Sequence, residues 1–109
     1  MLRTAWTILF LVFGYSTLAL AGDYYINITN STGYTIDYLY VSPASSDDWQ
    51  DDVLGDDVLP NGYRGKVTLR GFDSPIFDIQ LEDEEGDTYT FYDFNVEKYD
   101  LEVKPGDID

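Results

Sequence analysis

The sequence predicts an all-β fold: a small antiparallel β-sandwich or partly open barrel of about six strands, broken by one acidic irregular or short-helical excursion. Three observations carry that expectation. Apolar and polar residues alternate in short runs, and no stretch keeps a helical period for long. Clusters of Gly, Pro, Asn and Asp separate the runs at intervals that suit hairpins. The 109 residues include ten Tyr and six Phe, ring-bearing side chains that favour half-buried pleated surfaces.

Taken in order, Tyr24 to Thr29 (YYINIT) places Tyr24, Ile26 and Ile28 on one face, and Asn30-Ser31-Thr32-Gly33 reads as a turn. Tyr34 to Val41 (YTIDYLYV) is a second strand, closed by Ser42-Pro43 because proline cannot donate to a central ladder. Residues 42–62 form the excursion. Within it Ser46 is positioned to N-cap a short helix ending near Leu54, with Gly55 beyond its C-terminus and Trp49 and Val53 sharing a face. Pro60-Asn61-Gly62 is a turn. Strand patterning resumes over Gly65 to Arg70, with Val67 and Leu69 inward. It continues over Ile76 to Glu82, with Phe77, Ile79 and Leu81 inward. Residues 83–87 (DEEGD) form a hairpin loop leading to Thr88–Tyr92, where Tyr89 and Phe91 extend the same apolar face. Tyr99, Leu101 and Val103 belong to a last strand, and residues 105–109 are expected to fray.

Residues 1–21 read as a secretory signal peptide, leaving a single β domain over residues 22–109. Arg3 supplies the positive start, Ala5 to Tyr15 is almost wholly apolar, and Ala19-Leu20-Ala21 is an A-x-A cleavage pattern. The apolar run is short for a membrane span, which needs about 20 residues, so no membrane anchor is expected after cleavage. The expected location is periplasmic or extracellular.

Composition excludes several function classes. The chain has 21 acidic and 6 basic residues, a net charge of −15, and neither His nor Cys. Phosphate contacts need Lys and Arg, so nucleic acid is not an expected partner. Without Cys there is no disulfide, thiol nucleophile or lipoprotein anchor, and without His the usual general base and zinc ligand are missing. No catalytic residue is assigned and the chain is expected not to be an enzyme.

Residues 30–62 hold Asn30, Thr32-Gly33-Tyr34, Ile36, Leu39-Tyr40-Val41-Ser42-Pro43, Trp49, Leu54-Gly55, Leu59 and Gly62, with Phe77-Asp78-Ile79, Asp83 and Gly86-Asp87-Thr88-Tyr89 downstream. In these residues the chain resembles a family of small exported bacterial β-domain proteins of unassigned function. In that pattern a glycine commonly follows the tryptophan, where this chain has Gln50. The resemblance implies a small β domain and no catalytic residue.

The excursion is the richest candidate site. Asp47, Asp48, Asp51, Asp52, Asp56 and Asp57 crowd a short stretch, and like charges at i, i+4 destabilise a helix. A bound hard cation, most plausibly Ca²⁺, would relieve them, since carboxylates without sulfur or imidazole select such ions. The alternative is a solvated loop. Asp83 and Asp87 are candidates for a shared site or partner surface. Trp49 either plugs the sandwich, as Val53 and Leu54 beside it favour, or offers a stacking platform. Tyr25, Tyr38, Tyr40 and Tyr92 are candidates for a carbohydrate strip. Asn27 and Asn30 each begin an N-x-[ST] acceptor, and Asn30, in the turn, is the better one. The leading expectation is therefore an exported binding module whose acidic loop meets a basic protein surface or a divalent cation. The alternatives are a calcium-binding or calcium-stabilised module and a carbohydrate-binding module.

Overall fold

The computed structural model describes residues 8–14, 22–46 and 49–109. Seven strands are present among them: β1 (Ile8–Gly14), β2 (Gly22–Asn30), β3 (Ile36–Pro43), β4 (Arg64–Phe72), β5 (Ile76–Asp83), β6 (Thr88–Asn95) and β7 (Leu101–Val103). They form a sandwich of two sheets, one ordered β1-β4-β2-β7 and the other β3-β5-β6. The expected all-β sandwich is the fold found, and β2 to β7 are the six strands read from the runs. None of the helices among the described residues is long and apolar enough to cross a membrane.

The period-2 pattern decides which side chains meet. Ile26 and Ile28 of β2, Val67 and Leu69 of β4, and Leu101 and Val103 of β7 turn inward from one sheet. Ile36, Leu39 and Val41 of β3, with Phe77, Ile79 and Leu81 of β5 and Tyr89 of β6, turn inward from the other. Phe77 anchors the contact between the layers, with its ring edge-on to Phe72 at 5.1 Å and to Tyr24 at 6.3 Å. Each such aliphatic or Phe side chain contributes about 1.5–3 kcal/mol by burial. That is how a small chain without disulfides reaches stability.

Several details depart from the sequence reading. The sandwich is not wholly antiparallel: β7 runs parallel to β2, and β1 runs parallel to β4. The strand β3 continues through Pro43, which pairs with Phe77; this is tolerated because β3 lies at a sheet edge and needs no donor there. Tyr99 lies outside β7 and is 62% exposed. In β6, Phe77 pairs with Phe94 and Ile79 with Phe91, so Tyr92 and Asp93 bulge outward opposite Asp78. Asp93 takes the left-handed conformation there (φ 55°), and its N–H donates to the Asp78 carboxylate at 2.9 Å.

Residues 105–109 do not fray. They make a 3-10 turn over Pro105–Asp107 and dock on β6. The Asp109 N–H donates to the Thr88 carbonyl at 2.8 Å, and the Asp109 carboxylate accepts from the Thr88 hydroxyl, the Thr90 hydroxyl and the Thr90 N–H. A polar composition suggested solvent, but the exposed end of β6 has backbone groups that need partners.

Candidate functional site

The acidic excursion is not helical where it is described. It runs back along the outer edge of β3 as an irregular strap. The Gln50 N–H donates to the Ser42 hydroxyl at 2.8 Å, and the Val53 N–H donates to the Leu39 carbonyl at 2.7 Å. Ile36 and Leu59 then exchange both backbone bonds at 2.9 Å. Val53, Leu54 and Leu59 are buried beneath the strap. The like charges that weaken a helix here do not oppose an extended strap, and the edge of β3 offers the hydrogen bonds that a helix would have supplied.

The aspartates divide by role. Asp52 Oδ1 accepts from the Leu39 N–H at 2.9 Å and the Leu54 N–H at 3.1 Å, so this carboxylate ties the strap to β3. Asp51, Asp56 and Asp57 are exposed. Asp47 and Asp48 lie outside the described residues. Among the described residues no three carboxylates come together in a group fit to hold a metal ion. Trp49 is 39% exposed, so part of its ring faces solvent, while Val53 and Leu54 are buried.

Asp83 is not a surface group. It is 2% exposed, and its carboxylate organises the β5–β6 hairpin. Oδ1 accepts from the Glu85 N–H at 2.9 Å and the Asp87 N–H at 3.0 Å, while Oδ2 accepts from the Tyr89 hydroxyl at 2.7 Å. Burial, with the hydrogen bond to Asp83 second, pushes the Tyr89 hydroxyl up to about 12. Gly86 closes the loop in the left-handed region (φ 85°). The side chain of Asp87 is exposed beside this loop. Asp83 is therefore spent inside the hairpin, while Asp87 remains open to solvent.

Asn30 is equally committed. It is fully buried, and its amide donates to the Tyr34 carbonyl at 2.7 Å and the Leu59 carbonyl at 2.8 Å. Its Oδ1 accepts from the Thr32 N–H and hydroxyl at 3.0 and 2.7 Å. Both amide hydrogens are in use inside the fold, which removes Asn30 as a glycosylation acceptor in the folded protein.

The tyrosines do not make one strip. Tyr38 and Tyr40 stack on β3 at 6.4 Å and 7°, Tyr92 stands on the β6 bulge, and Tyr25 belongs to the opposite sheet beneath Lys66 (4.5 Å from Nζ to the ring centre). Burial, followed by the negative charges of Asp52 and Glu82, raises the Tyr40 hydroxyl above its ordinary value.

One concave feature escaped the sequence reading. A cleft of about 370 Å³ opens between the start of β2 and the β6–β7 connection, lined by Asp23, Tyr24, Tyr25, Glu97, Tyr99 and Asp100 among others. Tyr99 is held edge-on by Phe94 at 6.1 Å. Asp100 accepts from Asn27 at 3.2 Å and pairs with Arg64 at 3.4 Å. The cleft combines aromatic faces with carboxylates, but its two walls are more than seventy residues apart in sequence, so only the closed fold brings them together.

In comparisons with known proteins, no family model, no curated protein and no solved structure matches the chain.

Proposed function

We propose that the protein is a non-catalytic, exported binding module that engages a basic protein surface through the strap along β3. The observation that carries this reading is Trp49, the chain's sole tryptophan outside the leader segment. It stands 39% exposed on a strap whose Asp51, Asp56 and Asp57 are also exposed. An amphipathic ring among carboxylates suits a lysine or arginine side chain, which pairs with the charge and packs on the ring. The strap is anchored by Asp52 and by the buried Val53, Leu54 and Leu59, so the site is presented on a rigid sheet.

The test is binding of an arginine-rich peptide to the exported protein, followed by tryptophan fluorescence and calorimetry. Affinity is expected to fall as salt rises and to drop about tenfold in Trp49→Ala. Asp56→Asn/Asp57→Asn should weaken binding more than Glu84→Gln/Glu85→Gln, which removes the same charge elsewhere. Equal losses in the two double variants, with no effect at Trp49, would reduce the interaction to net charge and refute the site.

The cleft supports a second reading, a carbohydrate-binding module. Tyr25 and Tyr99 offer ring faces and Asp23, Glu97 and Asp100 offer acceptors for sugar hydroxyls. Titration with soluble oligosaccharides would then perturb the ring resonances of Tyr24 and Tyr25, and Tyr99→Ala would abolish that response, with little dependence on salt in the parent protein.

A further inference from the structure

Among the described residues the sheet edges are closed by different devices, and one long edge is closed only by β1. In the three-stranded sheet, β3 is strapped: Asp52 accepts from the Leu39 N–H, Val53 donates to the Leu39 carbonyl, and Leu59 pairs with Ile36. The Thr88 end of β6 is closed by Asp109. In the other sheet β7 is three residues long, too short to offer a ladder. The long edge in question is that of β4, which is nine residues long. It is covered by β1 alone, in parallel register from Ile8 opposite Arg64 to Gly14 opposite Arg70. Those seven residues fall within the segment read as a signal peptide.

We propose that removal of the leader turns β4 into a strand-acceptor edge, filled in the exported protein by an extended segment of another polypeptide. The segment runs parallel to β4, with apolar side chains at its inward positions and carboxylates at its outward ones. The inference rests on the leader reading. Direction and register follow from β1, which already pairs there. The inward requirement follows from Gly65, Val67 and Leu69, which are buried against the core and would leave it open on that side. The outward requirement follows from Arg64, Lys66 and Arg70, which alternate on the outer face and make up half of the six basic residues in a chain of charge −15.

The same cations argue against a second copy. Antiparallel pairing of β4 with β4 of another copy would set Arg and Lys opposite Arg and Lys, and like charges directly opposite destabilise a strand pair. Basic residues on an edge discourage self-association, and they admit an acidic strand that adds to the sheet through main-chain hydrogen bonds.

The test begins with the full chain expressed in a bacterial export host, the exported product being read by intact mass. Three nine-residue peptides are then added: alternating Val and Glu, alternating Val and Lys, and the Val–Glu peptide N-methylated at alternate residues. Amide exchange across residues 64–72 is the readout. The product is expected to begin at Gly22, and the Val–Glu peptide alone should slow exchange in β4 at least tenfold. Lys66→Glu/Arg70→Glu should reverse the preference toward the Val–Lys peptide, a gain that an unfolded variant cannot show. A product that still carries residues 1–21 would overturn the leader reading and leave the edge occupied by β1. A product beginning at Gly22 whose β4 amides respond to none of the peptides, or are already protected in a dimer, would overturn the acceptor edge and leave the leader reading standing.

Discussion

Two buried polar side chains, Asn30 and Asp83, carry more of the fold than their types suggest. Each sits at a loop and satisfies groups that burial would otherwise leave unpaired, a loss that costs about 1–3 kcal/mol per group. Asn30→Ala is expected to destabilise the domain by about 3 kcal/mol, because it strands the Tyr34 and Leu59 carbonyls. The midpoint of urea unfolding measures this. Asp83→Ala is expected to cost a similar amount, and Tyr89→Phe about 1–2 kcal/mol, since the phenol then leaves Asp83 with its two amide donors. Tyr89 also sets an alkaline limit. Its hydroxyl is raised to about 12 in the fold from 10.0. Between those values the unfolded chain has lost the proton and the folded chain keeps it, so stability is full below pH 10 and declines up to about pH 12. Tyr89→Phe should flatten part of that decline in a pH series of melting curves. The sequence marked both positions, Asn30 as a turn residue and acceptor site and Asp83 as a loop carboxylate. It could not mark them as buried, because burial depended on contacts with Leu59 and Tyr89, at distant positions or on another strand. The Asn30-x-Thr32-Gly33-Tyr34 stretch is accordingly a structural turn.

At the scale of elements, the strands were legible and the irregular segments were not. Alternation fixed the inward faces of β2, β4 and β5 because each side chain's direction is a local property of an extended backbone. Of the two forms expected for the excursion, irregular and short-helical, the irregular one is present, whereas the C-terminal segment was misjudged as a frayed tail, because both conformations are dictated by the edges they cover. The cleft was missed for the same reason, since Tyr25 and Tyr99 meet only through the β6–β7 connection. The strap gives a sharp test of how its aspartates divide. Asp52→Ala is expected to destabilise by about 1–2 kcal/mol by freeing the Leu39 and Leu54 amides, whereas Asp51→Asn should be neutral or slightly stabilising. The C-terminal segment gives another. Hydrogen bonds from Thr90, and secondarily Thr88, hold the Asp109 carboxyl below its ordinary value while burial opposes them. A carboxyl lowered in the fold adds stability above its unfolded value, and that stability is lost as pH falls through the folded one. The protection factor of the Thr90 amide, corrected for intrinsic exchange, should therefore fall in acid, and Asp109→Ala should lower it roughly fivefold at neutral pH.

For the molecule as a whole, the dominant electrostatic fact is unbalanced charge. A net −15 is distributed over 109 residues. Among the described residues a single ion pair is formed, Arg64 with Asp100 at 3.4 Å, and both partners are exposed. An exposed pair of this kind contributes about 0–1 kcal/mol, so it does little against the repulsion among the carboxylates. Like charges spread over a folded surface oppose compaction, and salt weakens them once the Debye length, about 10 Å at 0.1 M, falls below their separation. Stability should therefore rise with ionic strength. About 1 kcal/mol of relieved repulsion corresponds to a gain of roughly 4–8 °C in Tm for a domain of this size. Ca²⁺ and Mg²⁺ at matched ionic strength should act alike, because among the described residues no three carboxylates converge on a common point. A rise specific to Ca²⁺ that disappears in Asp51→Asn would instead assign the excursion to a metal, with Asp52 and Asp48 the nearest further carboxylates in sequence. Asp56→Asn/Asp57→Asn should raise the melting temperature at low salt and narrow its difference from high salt. If that variant melts lower at every salt concentration, those carboxylates hold the strap in place and do not merely repel their neighbours.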